Sequence, residues 1–291
     1  MEHTQTLPNL LTEQRMADAW SELLKYPADA MVLRANAHRL AFADPEFLLR
    51  RDTRGIRIQL EMLKPDLDQA EQGIEHTVVV FGSARFSSPE KAQAMLEDAQ
   101  QSNDPDALVE ANRHVRNARH YEQARLFARL VASYSASLTP EQRFYICTGG
   151  GPGIMEAANR GAHDMGAPTV GLNIALPHEQ HANPYVTPSL SFKFHYFAMR
   201  KMHFMMRAKA LVAFPGGFGT LDELFEVVTL VQTKKAQPVP IVLFGSDYWK
   251  RLLNVDVLLE EGVVSKEDLQ YLSYVDDPQA AWDVIKNFYD L

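Results

Sequence analysis

Three apolar runs in this chain each end in a glycine-rich turn that leads directly into a helical pattern. The turns are "FGSAR" at 81–85, "TGGGPGIME" at 148–156 and "PGGFGTLDE" at 215–223. A short, continuous apolar run is typical of a strand that is buried on both faces. Because such runs alternate here with helical patterns, the sequence predicts an α/β fold with a doubly wound parallel sheet.

The pattern changes character along the chain. Up to about residue 74 the apolar spacing indicates helices, most clearly in "TEQRMADAWSELLKY" and "DPEFLLRRDTRGIRIQLEMLKPDL", and no chemical motif is present. We therefore expect residues 1–74 to form an N-terminal helical extension. Residues 75–291 are expected to form one Rossmann-like domain that carries the functional site.

Within residues 75–291 the alternation of strands and helices is interrupted once. The polar stretch 97–115 is interpreted as an excursion from the sheet, and an amphipathic helix follows at 118–138. Further helices are expected at "GIMEAANRGAHDMG", "HYFAMRKMHFMMRA", "TLDELFEVVTLVQTKK", "SDYWKRLLNVDVLLEEG" and from about Pro278 onward. Further strands are expected at "APTVGLNI" and "VPIVLFG".

Composition narrows the possible classes of protein. The chain has 291 residues, of which 46% are hydrophobic, and a formal net charge of −8 without an obvious basic block. This charge argues against a nucleic-acid partner. No apolar stretch approaches the roughly 18 residues of a membrane span, and the N-terminus lacks the regions of a signal peptide. We therefore expect a cytoplasmic protein without a membrane partner.

Cysteine and histidine give no sign of a metal or redox site. The single cysteine, Cys147, lies between apolar neighbours in "RFYICTGG", so a buried strand thiol is expected rather than a nucleophile. His195 and His203 lack the spacing of metal ligands and are interpreted as packing or surface residues. No metal is predicted.

The three glycine turns are candidates for binding phosphate. Loops that follow parallel strands gather at the carboxyl edge of the sheet, where backbone amides and helix dipoles attract anions. The alternative is that the turns need glycine only for positive φ or close packing, and for "FGSAR" both interpretations stay open. Neither "GGGPG" nor "PGGFGT" matches a P-loop or the G-x-G-x-x-G fingerprint, which disfavours triphosphate hydrolysis and ordinary dinucleotide binding.

Two carboxylates follow the third turn directly. We expect Thr220 to cap a helix that begins near Leu221, with Asp222 and Glu223 in its first turn. Asp222 is interpreted as part of a well-capped helix end. Glu223 would be repelled by a bound phosphate, so it is interpreted as acting on the uncharged part of a ligand, such as ribose hydroxyls or a sugar carbon that gains positive charge.

A basic pair stands in the methionine-rich stretch "FAMRKMHFMM" at 197–206. Because apolar residues almost encircle this helix, it is predicted to be largely buried, in the core or at a subunit contact. Arg200 in such a helix needs an anionic partner, either Glu223 or a ligand phosphate. A purely structural ion pair is the alternative.

Together these motifs resemble the LONELY GUY (LOG) family of nucleoside 5′-monophosphate phosphoribohydrolases, long labelled "lysine decarboxylase". "PGGFGTLDE" resembles its P-G-G-x-G-T-x-x-E signature, "MRKMHFM" its Arg-Lys helix, and "TGGGPGIMEAANRGA" its glycine loop in the longer, bacterial-type members. The resemblance covers roughly residues 76 to 250. It implies a homodimer or higher homo-oligomer that needs no cofactor and hydrolyses the N-glycosidic bond of an AMP-like or cytokinin riboside monophosphate.

The resemblance also implies a role for individual residues. Arg200 and Glu223 would be the catalytic pair, because a carboxylate can stabilise the positive charge that develops on the ribose. Substrate binding would fall to the turns and their neighbours: Gly82, Ser83, Gly149, Gly150, Gly151, Gly153, Glu156, Lys201, Pro215, Gly216, Gly217, Gly219 and Thr220.

Two other functions are weighed against hydrolysis of a nucleotide. A lysine decarboxylase would need pyridoxal phosphate on a Schiff-base lysine, and no lysine here has a recognisable setting of that kind. A non-catalytic nucleotide-binding or carrier protein would keep the same turns without turnover. Such a binder gains little from a carboxylate beside the phosphate, so Glu223 distinguishes the two.

Overall fold

The computed structural model describes residues 40–102, 104–176 and 182–291 of the chain. The predicted helix "TEQRMADAWSELLKY" lies outside these residues. The chain divides into two compact units, and the division falls between Leu60 and Glu61. The division that the sequence suggests, after residue 74, stays a prediction.

The described residues before the sheet are helical. The stretch predicted as one helix forms two, α1 (Pro45–Leu48) and α2 (Arg54–Glu71). The turn between them ends at Thr53, whose hydroxyl oxygen lies 2.9 Å from the carbonyl oxygens of Phe47, Leu48 and Arg50, so its single proton is shared among them. A threonine that bonds backbone carbonyl groups in this way competes with continuation of the helix at the end of α1.

A seven-stranded sheet forms the centre of the second unit. Every neighbouring pair is parallel, and the order is β4-β3-β2-β1-β5-β6-β7. The order reverses between β1 and β5, as in doubly wound sheets. The strands are β1 (His76–Phe81), β2 (Phe144–Thr148), β3 (Thr169–Ile174), β4 (Ser191–Phe194), β5 (Ala208–Ala213), β6 (Ile241–Phe244) and β7 (Leu272–Val275).

Helices cover both faces of the sheet, so the predicted doubly wound α/β fold is confirmed. Helices α4, α5 and α11 pack on one face, and α6, α7 and α8 pack on the other. The helices that follow β1 are α3 (Pro89–Ser102), α4 (Pro105–Ala136), α5 (Ile154–Asp164), α6 (Phe197–Met206), α7 (Phe218–Gln232), α8 (Ser246–Leu252), α9 (Val255–Glu260), α10 (Lys266–Leu269) and α11 (Pro278–Phe288).

Strand β1 shows how an apolar run serves two cores. Val78 and Val80 pack against the α4 face, whereas Val79 and Phe81 pack against the α6 face. Successive side chains of a strand point to opposite faces, so a central strand needs an apolar residue at every position. The prediction of a strand that is buried on both faces is therefore confirmed.

The polar stretch 97–115, interpreted as an excursion from the sheet, is helical and lies between β1 and β2. It contains the end of α3 and the first part of α4. Asp104 caps α4 by accepting the N–H of Asp106 at 2.9 Å, and Pro105 occupies the first helical position. The side chains of this stretch are mostly exposed, so the helical pattern lacks the apolar stripe by which a helix is recognised.

Two edge strands and one break in a helix were not predicted. Strand β4 has four residues, alternately exposed and buried, and β7 also has four. Runs this short give little periodicity. The segment predicted as one helix after β6 is divided into α8 and α9 because Leu253 takes an extended conformation. Among the described residues, every helix is too short or too polar to cross a membrane.

Candidate active site

The three glycine turns lie together at the carboxyl edge of the sheet. The N–H of Ser83 donates to the carbonyl oxygen of Pro215 at 3.0 Å, which joins the first turn to the third. The carbonyl oxygen of Ser83 accepts the N–H of Ile154 at 3.1 Å, which joins the first turn to the second. Because β1 and β5 flank the point where strand order reverses, the turns border the crevice in which doubly wound proteins bind ligands.

Packing explains several glycines of the turns, most clearly Gly153 and Gly216. Gly153 has a φ of +74°, and a Cβ there would lie 2.3 Å from the carbonyl oxygen of Ser83. A Cβ on Gly216 would lie 2.1 Å from Oγ1 of Thr220. By contrast, a Cβ on Gly217 or Gly219 would meet none of the described residues within 4 Å, apart from its own neighbours along the chain. The surface at these two glycines is therefore open to a ligand.

Helix α7 begins earlier than the sequence suggests, so the prediction that Thr220 caps it is wrong. Gly217 is the N-cap, in an extended conformation and without a side-chain cap, and Phe218 is the first helical residue. Thr220 lies inside the first turn, where its buried hydroxyl faces Gly216. The first N–H groups of a helix have no partner within it, so this end of α7 offers backbone donors to an anion.

Arg200 of α6 and Glu223 of α7 form a buried charged pair. Nη2 of Arg200 lies 3.6 Å from Oε1 of Glu223, and the side chains are 12% and 8% exposed. That distance is longer than a hydrogen bond, so the two groups attract each other electrostatically but are not hydrogen-bonded to each other. Nη2 of Arg200 also lies 3.4 Å from the position of a Cβ on Gly149. The pair is thus next to the second glycine turn.

The guanidinium of Arg200 keeps unused hydrogen-bonding capacity. Its carbon lies 5.2 Å from the ring centre of Phe204 and 5.9 Å from that of Phe197. These rings favour a cation but accept no strong hydrogen bond. Nε is buried and has no hydrogen-bond partner among the described residues. Because buried donors are normally paired, this atom marks a place for a ligand or water.

Burial sets the protonation of the pair. It raises the pKa of Glu223 to about 7, although the positive charges of Arg200 and Lys201 act to lower it. Burial also lowers the pKa of Arg200, against the attraction of Glu223. A carboxyl group whose pKa lies near neutrality exchanges its proton within the physiological range, as groups at catalytic sites often do.

Lys201 connects the two helices. Its Nζ lies 2.9 Å from a carboxylate oxygen of Asp222 and 2.7 Å from one of Glu226, both on α7. These ion pairs fix α6 against α7 beside the Arg200–Glu223 pair. The role of Lys201 in binding substrate stays a prediction.

Comparisons with known proteins bear on this region directly. Residues 155–285, which include Arg200 and Glu223, match the family model described as "Possible lysine decarboxylase". A probable cytokinin riboside 5′-monophosphate phosphoribohydrolase of Oryza sativa subsp. japonica, LOGL5, is 32% identical over 120 residues, 40% of this chain and 48% of that protein. The cytokinin riboside 5′-monophosphate phosphoribohydrolase LOG3 of Arabidopsis thaliana is 31% identical over 121 residues, 40% of this chain and 54% of that protein.

The resemblance to the LONELY GUY family that the motifs show is confirmed for residues 155–285. The chain spans about half the length of the curated relatives it matches. Among solved structures, a molybdenum cofactor binding protein from Rippkaea orientalis has a TM-score of 0.43 and 16% identity, over 73% of this chain and 95% of that chain. A structural-genomics target has a TM-score of 0.46 and 20% identity, over 73% and 99%.

The second glycine turn is held by a buried polar network that the sequence analysis missed. Asn183 donates its N–H to the carbonyl oxygen of Gly150 at 2.8 Å and its Nδ2–H to that of Gly151 at 3.0 Å. Oδ1 of Asn159 accepts from Asn183 at 2.9 Å and from Thr148 at 2.7 Å. These bonds give the turn one conformation. The sequence does contain one signal for this network, because Asn159 is a polar residue on the apolar face of α5.

Glu156 has a partner outside the turns. Its Oε1 accepts the hydroxyl of Tyr121, on α4, at 2.8 Å. This bond ties α5 to α4 on the sheet face opposite α6 and α7. That Glu156 faces the substrate stays a prediction.

Helix α2 holds the start of the helix that carries Arg200. The two carboxylate oxygens of Glu61 accept the N–H groups of His195 and Tyr196, at 2.9 and 3.0 Å. Tyr196 is the N-cap of α6, so Glu61 does the work of a capping side chain from another helix. Nothing in the local sequence of α6 indicates this cap.

Helix α2 is also bonded to the middle and the end of α6. Nε2 of His203 lies 3.0 Å from the carbonyl oxygen of Glu61. Arg207 follows the last residue of α6, and its Nη1 lies 2.6 Å from a carboxylate oxygen of Asp66. Three contacts along one helix fix its position, so α2 positions Arg200.

Removing the Glu61 cap should weaken both stability and turnover. We expect Glu61→Ala to lower the free energy of unfolding by about 1 kcal/mol, as the loss of an N-cap does. We also expect a lower kcat, because Arg200 is less well fixed, and partial recovery in Glu61→Gln, which keeps one acceptor oxygen. Urea unfolding and steady-state kinetics measure these effects. Glu71→Ala, an exposed change on the same helix, is the control, and an equal loss in it would refute the assignment.

The prediction that α6 is largely buried in the core is wrong for the single chain. Among its residues only His203 and Phe204 are buried. Exposed apolar side chains instead stand on α6 and on neighbouring α7: Phe197, Met202, Met206, Phe218 and Phe225. Phe218 is 92% exposed. An exposed apolar group of this kind marks a contact surface, so the alternative of a subunit contact stays a prediction.

Cys147 has the environment expected for a buried strand thiol. It is 2% exposed, and burial raises the pKa of its thiol. A thiol of this kind is a poor nucleophile. Among residues 40–102, 104–176 and 182–291, no cluster of three or more His, Cys, Asp or Glu side chains could hold a metal ion.

Proposed function

We propose that this protein hydrolyses the N-glycosidic bond of a nucleoside 5′-monophosphate, releasing the free base and ribose 5-phosphate. The observation that carries the proposal is the buried Arg200–Glu223 pair, 3.6 Å apart, on the two helices that border the glycine turns. A protein that only held the phosphate would have no use for a carboxylate buried at this distance from an arginine.

The 5′-phosphate would bind at the start of α7. Gly217 and Gly219 leave the surface open there, and the helix has no side-chain cap. Backbone N–H groups and the helix dipole together make such an end a site for anions. The ribose would then lie toward Glu223, which is in the second turn of the same helix.

Each member of the pair would have a separate task. The carboxylate of Glu223 would stabilise positive charge on the ribose and orient water or a sugar hydroxyl. Arg200 would keep part of Glu223 ionised near neutral pH and would offer its unpaired Nε–H to the substrate. Water is the other reactant, so the reaction needs no cofactor.

The substrate class follows from the relatives and the site together. The relatives are named for cytokinin riboside 5′-monophosphates, which are AMP derivatives with a substituted amino group. We propose an AMP-like nucleotide or such a cytokinin nucleotide. We also propose a homodimer in which the exposed apolar side chains of α6 and α7 form the contact, close to the pair.

Product analysis tests the proposal. Purified protein is incubated with AMP, GMP, CMP, UMP and isopentenyladenosine monophosphate, and chromatography follows the release of free base. We expect at least one nucleotide to give base and ribose 5-phosphate in equal amounts. If no nucleotide releases base while binding is still measured, the protein is a nucleotide carrier and the proposal is wrong.

A further inference from the structure

A second cavity lies at the carboxyl edge of the sheet. Its volume is about 690 Å³, and it spans from α4 to α8 past the end of β6. Ser83, Pro215 and Gly216, which are predicted to bind substrate, form one side of it, whereas Arg200 and Glu223 do not line it. The size lies within the range of roughly 300–1,000 Å³ that is typical of pockets for small ligands. The cavity therefore has room for a ligand that lies beside the glycine turns but away from the charged pair.

One wall of the cavity is a flat, uncharged ring surface. Phe86 and His120 are stacked, with ring centres 5.6 Å apart and an interplanar angle of 21°. Burial and the nearby charge of Arg119 lower the pKa of His120 to about 4, so its ring is neutral at physiological pH. Flat rings of this kind favour an offset-stacked planar partner.

The polar groups of the cavity limit the charge of a ligand. Arg251 is paired with Asp247 at 3.3 Å, and Asp276 accepts the N–H of Ser246 at 2.8 Å. Arg119 has no ion pair within the described parts of the chain. Because Arg251 and Asp247 offset each other, Arg119 is the cation that remains available to a ligand, and Asp276 is the carboxylate that remains to repel further negative charge. The balance favours a ligand with no more than one anionic group.

A buried acceptor in the cavity wall lacks a donor. Oε1 of Gln123, on α4, is buried and has no hydrogen-bond partner in the part of the chain that the structure describes. A buried acceptor without a partner costs about 1–3 kcal/mol, so such groups are normally satisfied. An N–H group of a ligand would satisfy this atom.

We propose that this cavity is a second binding site and that it takes a nucleoside or nucleoside monophosphate. The base would stack on the Phe86–His120 surface, and an N–H of the base would donate to Gln123. A single phosphate, where present, would contact Arg119 at the rim. A nucleoside triphosphate is disfavoured, since Arg119 can offset only part of its charge and Asp276 would repel the rest.

The cavity is also joined to the glycine turn at α7. The ring of Tyr248 lines the cavity, and its hydroxyl donates a hydrogen bond to the carbonyl oxygen of Gly216. Gly216 precedes the N-cap of α7. A ligand that contacts Tyr248 therefore acts on the turn where the phosphate of the proposed substrate would bind.

Calorimetry of the full chain tests the site. Adenosine is the first probe, because it lacks the phosphate that the start of α7 would bind. We expect one adenosine site per chain. Asn117→Trp fills the cavity and Gln123→Leu removes the acceptor. Each variant should weaken the binding of adenosine about tenfold, or about 1.4 kcal/mol. Two variants are used so that, if one of them fails to fold, the other still tests the site.

AMP and ATP are the further probes. Arg119→Ala should weaken the binding of AMP, but not that of adenosine, at the site that Asn117→Trp weakens. Arg116→Ala, an exposed change on the same helix, is the matched control and should alter the binding of neither AMP nor adenosine. The proposal is overturned if the wild-type chain binds neither adenosine nor AMP, if Asn117→Trp and Gln123→Leu bind both as well as wild type, or if ATP binds in the cavity more tightly than AMP.

The test is separate from that of the proposed hydrolysis. Glu223→Gln should lose release of base yet bind adenosine as the wild type does. Loss of adenosine binding in the cavity variants, together with normal release of base, supports the second site. The absence of base release from every nucleotide overturns the hydrolysis and leaves the adenosine result to be judged by itself.

Discussion

Glu223→Gln should abolish most release of base while leaving the fold intact. The variant keeps the size of the side chain but cannot carry negative charge to the ribose. A positioned acid or base contributes typically about 10²–10⁴-fold to a rate, so kcat should fall by that order. Steady-state kinetics on the best nucleotide of the panel measures the effect. In the wild type, kcat/KM should rise with pH with a midpoint near 7, as the carboxyl group ionises.

The same substitution should change how stability depends on pH. Burial raises the pKa of Glu223 from 4.5 to about 7 in the folded chain, so between these values the folded state holds a proton that the unfolded state has released. The free energy of unfolding therefore falls through this window as pH rises. Glu223→Gln lacks this fall. Above pH 7 it should be more stable than wild type by about 3 kcal/mol, because each unit of the pKa difference corresponds to about 1.4 kcal/mol.

Urea unfolding at pH 5 and pH 8 measures this difference. Asp222→Asn is the matched control, because Asp222 is a neighbouring carboxylate on α7 whose side chain is 58% exposed. We expect its pH dependence to follow that of wild type. If Glu223→Gln loses stability at pH 8 instead, the carboxylate serves chiefly as the structural partner of Arg200, and the catalytic assignment is wrong.

Arg200→Met should harm both turnover and stability. It removes the charge that lowers the pKa of Glu223, so the midpoint of the rise in kcat/KM should move above pH 7. It also leaves Glu223 as a buried carboxyl group without a cation. Breaking a buried pair in this way costs about 3–5 kcal/mol when the remaining group is charged, so the loss of stability should be larger at pH 8 than at pH 5.

Arg200→Lys separates charge from geometry. Lysine restores a positive charge near Glu223 but lacks the planar set of donors that includes Nε. We therefore expect the midpoint of the pH profile to return toward that of wild type while kcat stays low. Recovery of wild-type kcat would show that only the charge matters and would contradict a direct contact between Nε–H and the substrate.

The central strands and glycine turns could be predicted because their signal is local. The run Val78–Phe81 is apolar at every position, since both faces of β1 are covered. Strands β4 and β7 lie at the edges, have four residues each and lack such a run. The polar helices at 97–115 expose most of their side chains to solvent, so no apolar stripe distinguishes them from a loop.

Only those residues of the site that belong to a motif within one helix or one turn could be predicted from the sequence. Arg200 and Glu223 were found because each stands in a recognisable motif, and the structure places them 3.6 Å apart. Asn183 and Glu61 were missed because their partners are far away in sequence. Glu61 lies 134 positions from His195, whose N–H it accepts. Contacts of this kind depend on the folded path of the chain and leave no local pattern.

Helix α2 sets where a shortened form of the chain could begin. A protein cut to start at His76 would retain all seven strands, the three glycine turns and both members of the charged pair. It would nevertheless lack Glu61 and Asp66, which hold the two ends of α6. We therefore expect the smallest fragment that keeps the proposed activity to be longer than the sheet domain and to include helix α2.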